Sequence, residues 1–255
     1  MRLVDGALAI QGDLPASATT LVEVPLEAGD SRGTALPRLS SLEMVRDRQL
    51  AVLRDLTDPA ITIGGDCGVE LAAVEHALSR DPDVAVLWFD AHPDLHTASS
   101  STSGAFTGMV LRALLGDGEL APAVPLDPAR VILIGTRSVD DAEAAYLEGS
   151  GLEGSGIASL GLASPDELVA AVAATGATSI YVHIDVDVLD PAEFASKGDP
   201  VPFGLSFVEL IALITAARAA YPLVGAGITE FAPSSPEAAN DDLPTLLRVI
   251  GALTR

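Results

Sequence analysis

The stretch Asp90-Ala91-His92-Pro93-Asp94 carries three potential metal ligands at alternate positions. If it prolongs a strand over 84–89, the two-residue period aims all three to one side. Asp185 and Asp187 repeat that spacing after residues 180–184, with Asp190-Pro191 following, so two carboxylates should project together. Like charges held so close need a cation. Cys67, in Gly64-Gly65-Asp66-Cys67-Gly68, and Glu230 stand after two further apolar runs. Hard oxygen donors mixed with one imidazole suit Mn²⁺ better than a structural zinc. Four Asp, one His and one Cys are enough for two ions. Two divalent ions roughly 3.5 to 4 Å apart can make a hydroxide at neutral pH and polarise the group it attacks. The residues alone therefore argue for a metallohydrolase. His76 lies in the segment after Cys67 and reads as a surface residue, while His183 reads as a packed or hydrogen-bonded structural one.

Positioning such residues takes strands that end together. Runs rich in apolar and β-branched residues at 21–26, 60–63, 84–89, 131–134, 180–186 and 223–229 read as buried strands. Helical spacing fills the intervals. Three of these segments open with a capping box: Ser40 with Glu43, Ser164 with Glu167, and Ser206 with Glu209. The last helical segment falls around 243–253. Alternating strands and helices predict a mainly parallel sheet with helices on both faces, because parallel neighbours need a crossover of helical length. Ligand loops in such folds follow the carboxyl ends of strands, which singles out the loops at 98–104 and 191–204.

A chain of 255 residues suits one large α/β domain. Lys and Arg number 14 against 36 Asp and Glu, a formal charge of −22, so the surface repels nucleic-acid phosphates and anionic membranes. The single cysteine cannot form an intrachain disulfide, which fits a reducing cytoplasm. No apolar run approaches the roughly 20 residues of a membrane span, and residues 1–10 contain no signal-like segment.

The motifs Gly-Gly-Asp-Cys at 64–67, Asp-Ala-His-Pro-Asp at 90–94, Thr102-Ser103-Gly104, Asp-Val-Asp-Val-Leu-Asp-Pro at 185–191 and Gly-Ile-Thr-Glu-Phe-Ala-Pro around Glu230 carry a family resemblance. In them the chain resembles, over nearly its whole length, the ureohydrolases, the arginase and agmatinase type of binuclear manganese enzyme. The resemblance implies an α/β, three-layer arginase-like sandwich with a mainly parallel central sheet, one domain over residues 1–255, and two Mn²⁺ at the carboxyl edge. By position, Cys67, Asp90, Asp94 and Asp187 would hold one ion, and His92, Asp90, Asp185 and Asp187 the other. Glu230 would hold a guanidinium, whose planar fork pairs with a carboxylate through two parallel hydrogen bonds. His96, Ser101 and Ser103 fall where the family binds the α-carboxylate of an amino-acid substrate, and Asp140 and Glu143 where it binds the α-amino group. A small guanidino amino acid is the implied partner. The family's carboxyl-terminal trimerisation tail has no counterpart after Arg255, which makes a monomer plausible without excluding a homo-oligomer.

Two departures fall on catalytic positions. Cys67 stands where the family has a ligand His, and Thr107 where it has a proton-shuttling His. A cysteine at a helix start beside a cation should be a thiolate, taking the ligand charge from −4 for four Asp to −5. Threonine cannot act as a general acid or base near pH 7. Asp94, Thr107 and Glu230 are thus the catalytic candidates, with ordinary arginase activity expected to be poor. Three readings stay open. The Cys ligand also resembles Nω-hydroxy-L-arginine amidinohydrolases of D-cycloserine biosynthesis, which yield hydroxyurea and L-ornithine, and an N-hydroxyguanidine could relay its own proton. The others are a weak arginase or other guanidino-acid hydrolase, and a catalytically dead metal-binding protein.

Overall fold

Six strands form one parallel sheet in the computed structural model, which describes residues 2–149 and 154–254. They are β1 (Ala60–Ile63), β2 (Ala85–Phe89), β3 (Val131–Ile134), β4 (Ala158–Ser159), β5 (Ile180–Asp185) and β6 (Leu223–Thr229), in the order β1-β6-β5-β2-β3-β4. Every pairing between these strands is parallel. Eight helices accompany them among the described residues: α1 (Arg2–Asp13), α2 (Leu39–Leu53), α3 (Glu70–Arg80), α4 (Val110–Leu114), α5 (Asp141–Glu148), α6 (Pro165–Thr175), α7 (Phe207–Ala220) and α8 (Pro236–Leu253).

Strand alternation divides the interior into two cores. Ala85, Leu87 and Phe89 of β2, with Ile180, Val182 and Ile184 of β5, pack against Leu168 of α6, Leu210 and Ile214 of α7 and Leu246 of α8. Val86 and Trp88, with Tyr181, face the other way, onto Leu39 of α2, Leu71 and Val74 of α3 and Leu111 of α4. The three-layer expectation holds. The same alternation puts His183 and Asp185 on the Tyr181 side, under α3.

Several expectations change. Residues 21–26 form no strand: Leu21, Val24 and Leu26 are exposed, and an apolar run without a neighbour to pair with gains nothing from extension. The Ser40 box does not form either. α2 starts at Leu39 after Arg38 in a left-handed conformation, and Ser40 Oγ instead accepts from Asp30 N–H. α1 and the short β4 were not anticipated, and α8 starts seven residues before the expected segment, at Pro236. His76 is buried in α3 rather than lying on the surface, because α3 buries most of its length between α2 and the sheet.

The boxes of Ser164 and Ser206 do form. Ser206 Oγ accepts from Glu209 N–H at 3.2 Å, and Glu209 Oε2 accepts from Ser206 N–H at 2.7 Å. Ser206→Ala should therefore cost about 1 kcal/mol, read as a lower urea midpoint with an unchanged slope. An unmoved midpoint would show that the cap contributes nothing here.

Candidate active site

Four neighbouring strands, β1, β6, β5 and β2, deliver their carboxyl ends to one region. After β1, Gly64 N–H bonds to Ile228 O, and Glu230 N–H bonds to Gly65 O, so the chain stays paired to β6 one step past the ladder. A Cβ at Gly64 would lie 2.3 Å from Val69, which leaves glycine as the residue that lets the turn close. Asp66 then caps a 3-10 turn, Cys67–Val69, by accepting from Gly68 N–H. The turn buries Cys67, with Sγ 3.2 Å from Asp185 Oδ2 and 3.3 Å from Thr229 Oγ1.

Beyond Phe89 the chain turns instead of continuing extended. Asp90 Oδ1 accepts from His92 N–H at 2.6 Å, and Asp94 has φ +53°. Asp185 caps a second 3-10 turn, Val186–Val188, through Asp187 N–H at 2.8 Å. Turns, not strand periodicity, therefore aim His92, Asp94 and Asp187; the alternation argument holds for Asp185 and for Asp90, whose N–H still bonds to Ile134 O beside β2. Asp185 lies against Cys67, whereas Asp187 has Oδ2 2.9 Å from His92 Nδ1 and accepts from Ala91 N–H through Oδ1.

Of the oxygens on these aspartates, Asp90 Oδ2 and Asp94 Oδ2 are buried with no hydrogen-bond partner. Burial, reinforced by the charges of neighbouring carboxylates, pushes Asp94 and Asp185 well above the usual carboxylate range. Asp90 goes the other way, to about 2, because His183 and His92 outweigh its burial. His92 rises to about 11, its burial outweighed by Asp187 and Asp90. Burial and then the charges of Asp185, Asp94, Asp90 and Glu230 push the Cys67 thiol well up, so only a cation beside it would hold it as the expected thiolate. Potential ligand atoms group within 4.8 Å as Cys67, Asp90, Asp94 and His183; as Cys67, Asp185 and Glu230; and as Asp90, His92 and Asp187. Unpartnered oxygens among oxygen, nitrogen and sulfur donors fit divalent cations.

Glu230, at φ +65°, closes the region from β6. Burial first, then Asp66, Asp187 and Asp90, raise it to about 7 against the bond from Thr107, which lowers it. Thr107 Oγ1 donates to Glu230 Oε1 at 3.2 Å and accepts from Cys67 N–H at 3.2 Å. Farther out, His96 Nε2 stands 3.0 Å from Asp140 Oδ2 and 3.9 Å from Glu143 Oε1. Asp140 and Glu143 form the capping box of α5, and Glu143 Oε1 also accepts from Leu95 N–H. Ser101 and Ser103 face one another at 3.3 Å and take N–H groups of Gly104 and Ala105. These two hydroxyls thus serve their own loop, while His96, Asp140 and Glu143 come together.

Sequence reasoning missed Lys197 and the anchoring role of Arg137. Lys197 is buried, donates through Nζ to Leu189 O, and falls to about 8 through burial. Arg137 donates to the carbonyls of Gly135, Asp187, Val201 and Pro202, fastening the 191–204 loop to the end of β5. A lone lysine or arginine in a polar loop reads as solvated, so nothing in the sequence flagged either. The Asp140 box was legible as Asp-x-x-Glu. No helix among the described residues is long and apolar enough to cross a membrane.

Residues 11–243 match the model of the arginase family. Among curated proteins, an arginase of Eremothecium gossypii is 31% identical over 194 residues, covering 72% of this chain and 48% of that protein. The chain thus matches about half the length of that relative. An N(omega)-hydroxy-L-arginine amidinohydrolase of Streptomyces lavendulae is 26% identical over 227 residues, 88% of this chain and 79% of that protein. Among solved structures, Entamoeba histolytica arginase in complex with L-ornithine superimposes with a TM-score of 0.79 at 23% identity, over 92% of this chain and 83% of that one.

Proposed function

The chain belongs to the arginase family, and from that premise we propose that it is a binuclear manganese amidinohydrolase of an arginine-like amino acid. Its preferred substrate is Nω-hydroxy-L-arginine, which with water gives hydroxyurea and L-ornithine. Cys67, Asp90, Asp94 and Asp185 would hold one ion, and Asp90, His92 and Asp187 the other, an allocation supported by the Cys67–Asp185 and His92–Asp187 contacts. When bound, the ions supply Lewis acidity, which makes attack by water possible near neutral pH.

The protein's own groups do the rest. Glu230 receives the guanidine, and Thr107 orients it by donating to Oε1. Asp94 takes up the proton released as water adds to the guanidine carbon. His96, Asp140 and Glu143 bind the amino-acid end, with Ser101 and Ser103 shaping the loop beside them. The observation that carries the choice of substrate is Thr107, whose hydroxyl is engaged by Cys67 N–H and Glu230 and cannot titrate near neutrality. The leaving group must find its proton elsewhere, and an N-hydroxyguanidine brings an ionisable hydroxyl of its own.

A substrate panel tests this reading. Manganese-loaded protein is given Nω-hydroxy-L-arginine, L-arginine, agmatine and formiminoglutamate, and both halves of each product are assayed. The hydroxylated amino acid should have the highest kcat/KM. Preference for agmatine would overturn the amino-acid assignment, and turnover of none would overturn the enzyme.

A further inference from the structure

His183 has no role in the donor set just proposed, yet its surroundings resemble those of a ligand. It sits on β5 in register with Trp88 of β2, and the two rings pack with centroids 3.7 Å apart at a tilt of 31°. The side chain is wholly buried, and neither ring nitrogen has a hydrogen-bond partner. Nε2 stands 3.6 Å from Asp90 Oδ2 and Nδ1 3.7 Å from Glu70 Oε2, both beyond hydrogen-bond reach. A purely structural histidine at this depth would have its nitrogens satisfied.

Asp90 Oδ2 and Asp94 Oδ2 are unpartnered on the same side, and they fall with Cys67 and His183 in the group of ligand atoms within 4.8 Å. No hydrogen bond links these four side chains to one another, and Asp90 Oδ2, Asp94 Oδ2 and both His183 nitrogens have no partner at all. Behind Nδ1 the Glu70 carboxylate is fixed by Tyr181, whose hydroxyl donates to Oε2 at 2.6 Å. A carboxylate facing one ring nitrogen stands where the outer partner of a metal-bound histidine usually stands, and it leaves the other nitrogen turned toward the donors. Gly227 makes this arrangement possible, since a Cβ there would collide with Glu70 Oε1.

We infer that His183 is a ligand, through Nε2, of the ion on the Cys67 side. This rests on the metal centre proposed above. The imidazole absent at position 67 is returned from β5, two strands away across β6. It adds a nitrogen donor without adding charge, which matters where the thiolate has already raised the negative total.

The test is scalar coupling between metal and ring nitrogen in protein carrying ¹⁵N-histidine and loaded with ¹¹³Cd²⁺. Histidines 76, 92, 96 and 183 are assigned by single His→Gln variants; should His183→Gln not fold, the other three assign it by elimination. Coupling at Nε2 of His183, together with coupling at His92, is expected. Cadmium bound with coupling at His92 and none at His183 overturns the inference while leaving the metal centre standing. Failure of the folded protein to bind cadmium or manganese overturns both.

Discussion

Asp90→Asn should leave less than one manganese per chain and lower kcat/KM by on the order of 10³-fold or more, since losing even an outer partner of a metal ligand costs roughly 10- to 100-fold. Asp90 is fully buried and contributes to both the group with Cys67 and Asp94 and the group with His92 and Asp187. An amide at this position removes a charge and a donor from both sides at once. Metal analysis after reloading with Mn²⁺ and dialysis, beside steady-state kinetics, reads the outcome, with the exposed Asp55→Ala as control. Binding also reports thermally. Ion at about 100 times its Kd stabilises by about 2.7 kcal/mol, which for a chain of this size raises Tm by about 5 to 11 °C. Asp90→Asn should lose that rise. A variant that keeps two ions, the thermal shift and activity within about tenfold of the parent would remove Asp90 from the centre.

The second large effect concerns Thr107. Restoring an imidazole with Thr107→His should raise kcat/KM for L-arginine by on the order of 10²-fold, the lower end of what a positioned acid or base contributes. Nω-hydroxy-L-arginine should gain much less, because its own hydroxyl already serves. The ratio of the two values is the quantity to follow: large for the natural sequence, collapsing toward unity in the variant. A ratio unmoved by the substitution, or a natural protein that prefers L-arginine, sinks the idea of substrate assistance. The substitution also removes the acceptor of Cys67 N–H and the donor to Glu230, so Thr107→Val is the companion variant. It deletes both bonds without adding a base, and the ratio should stay high.

Most of the sheet was legible because buried parallel strands are nearly continuous apolar runs, as in Ala-Val-Leu-Trp-Phe at 85–89 and Ile-Tyr-Val-His-Ile at 180–184. The same rule misled at 21–26, where apolar character without a pairing neighbour gave exposed coil. The residues brought together at the strand ends were visible by type and spacing, but the means of aiming them was not. Asp94 and Glu230 point as they do through left-handed backbone conformations that no side-chain period encodes. His183 illustrates a different limit. An imidazole in an apolar strand looks the same in sequence whether its nitrogens are satisfied or unspent, and the three-dimensional structure distinguishes the two through the unpartnered nitrogens and the unpartnered oxygens of Asp90 and Asp94 beside them.

The strand order has a kinetic consequence. Cys67 and Asp185 touch although 118 residues separate them, and β1 reaches the site only by pairing with β6, near the other end of the chain. Such long-range closures are entropically late steps and slow the search for the native topology. Asp90, His92 and Asp94 lie within five residues, but Cys67, Asp185 and Asp187 join them only as the sheet completes, so the full donor set exists only in the nearly finished fold. Nascent chains would pass through a window in which the sheet is formed and its carboxylates face one another uncompensated. A cation binding there would stabilise the finished sheet rather than guide its assembly.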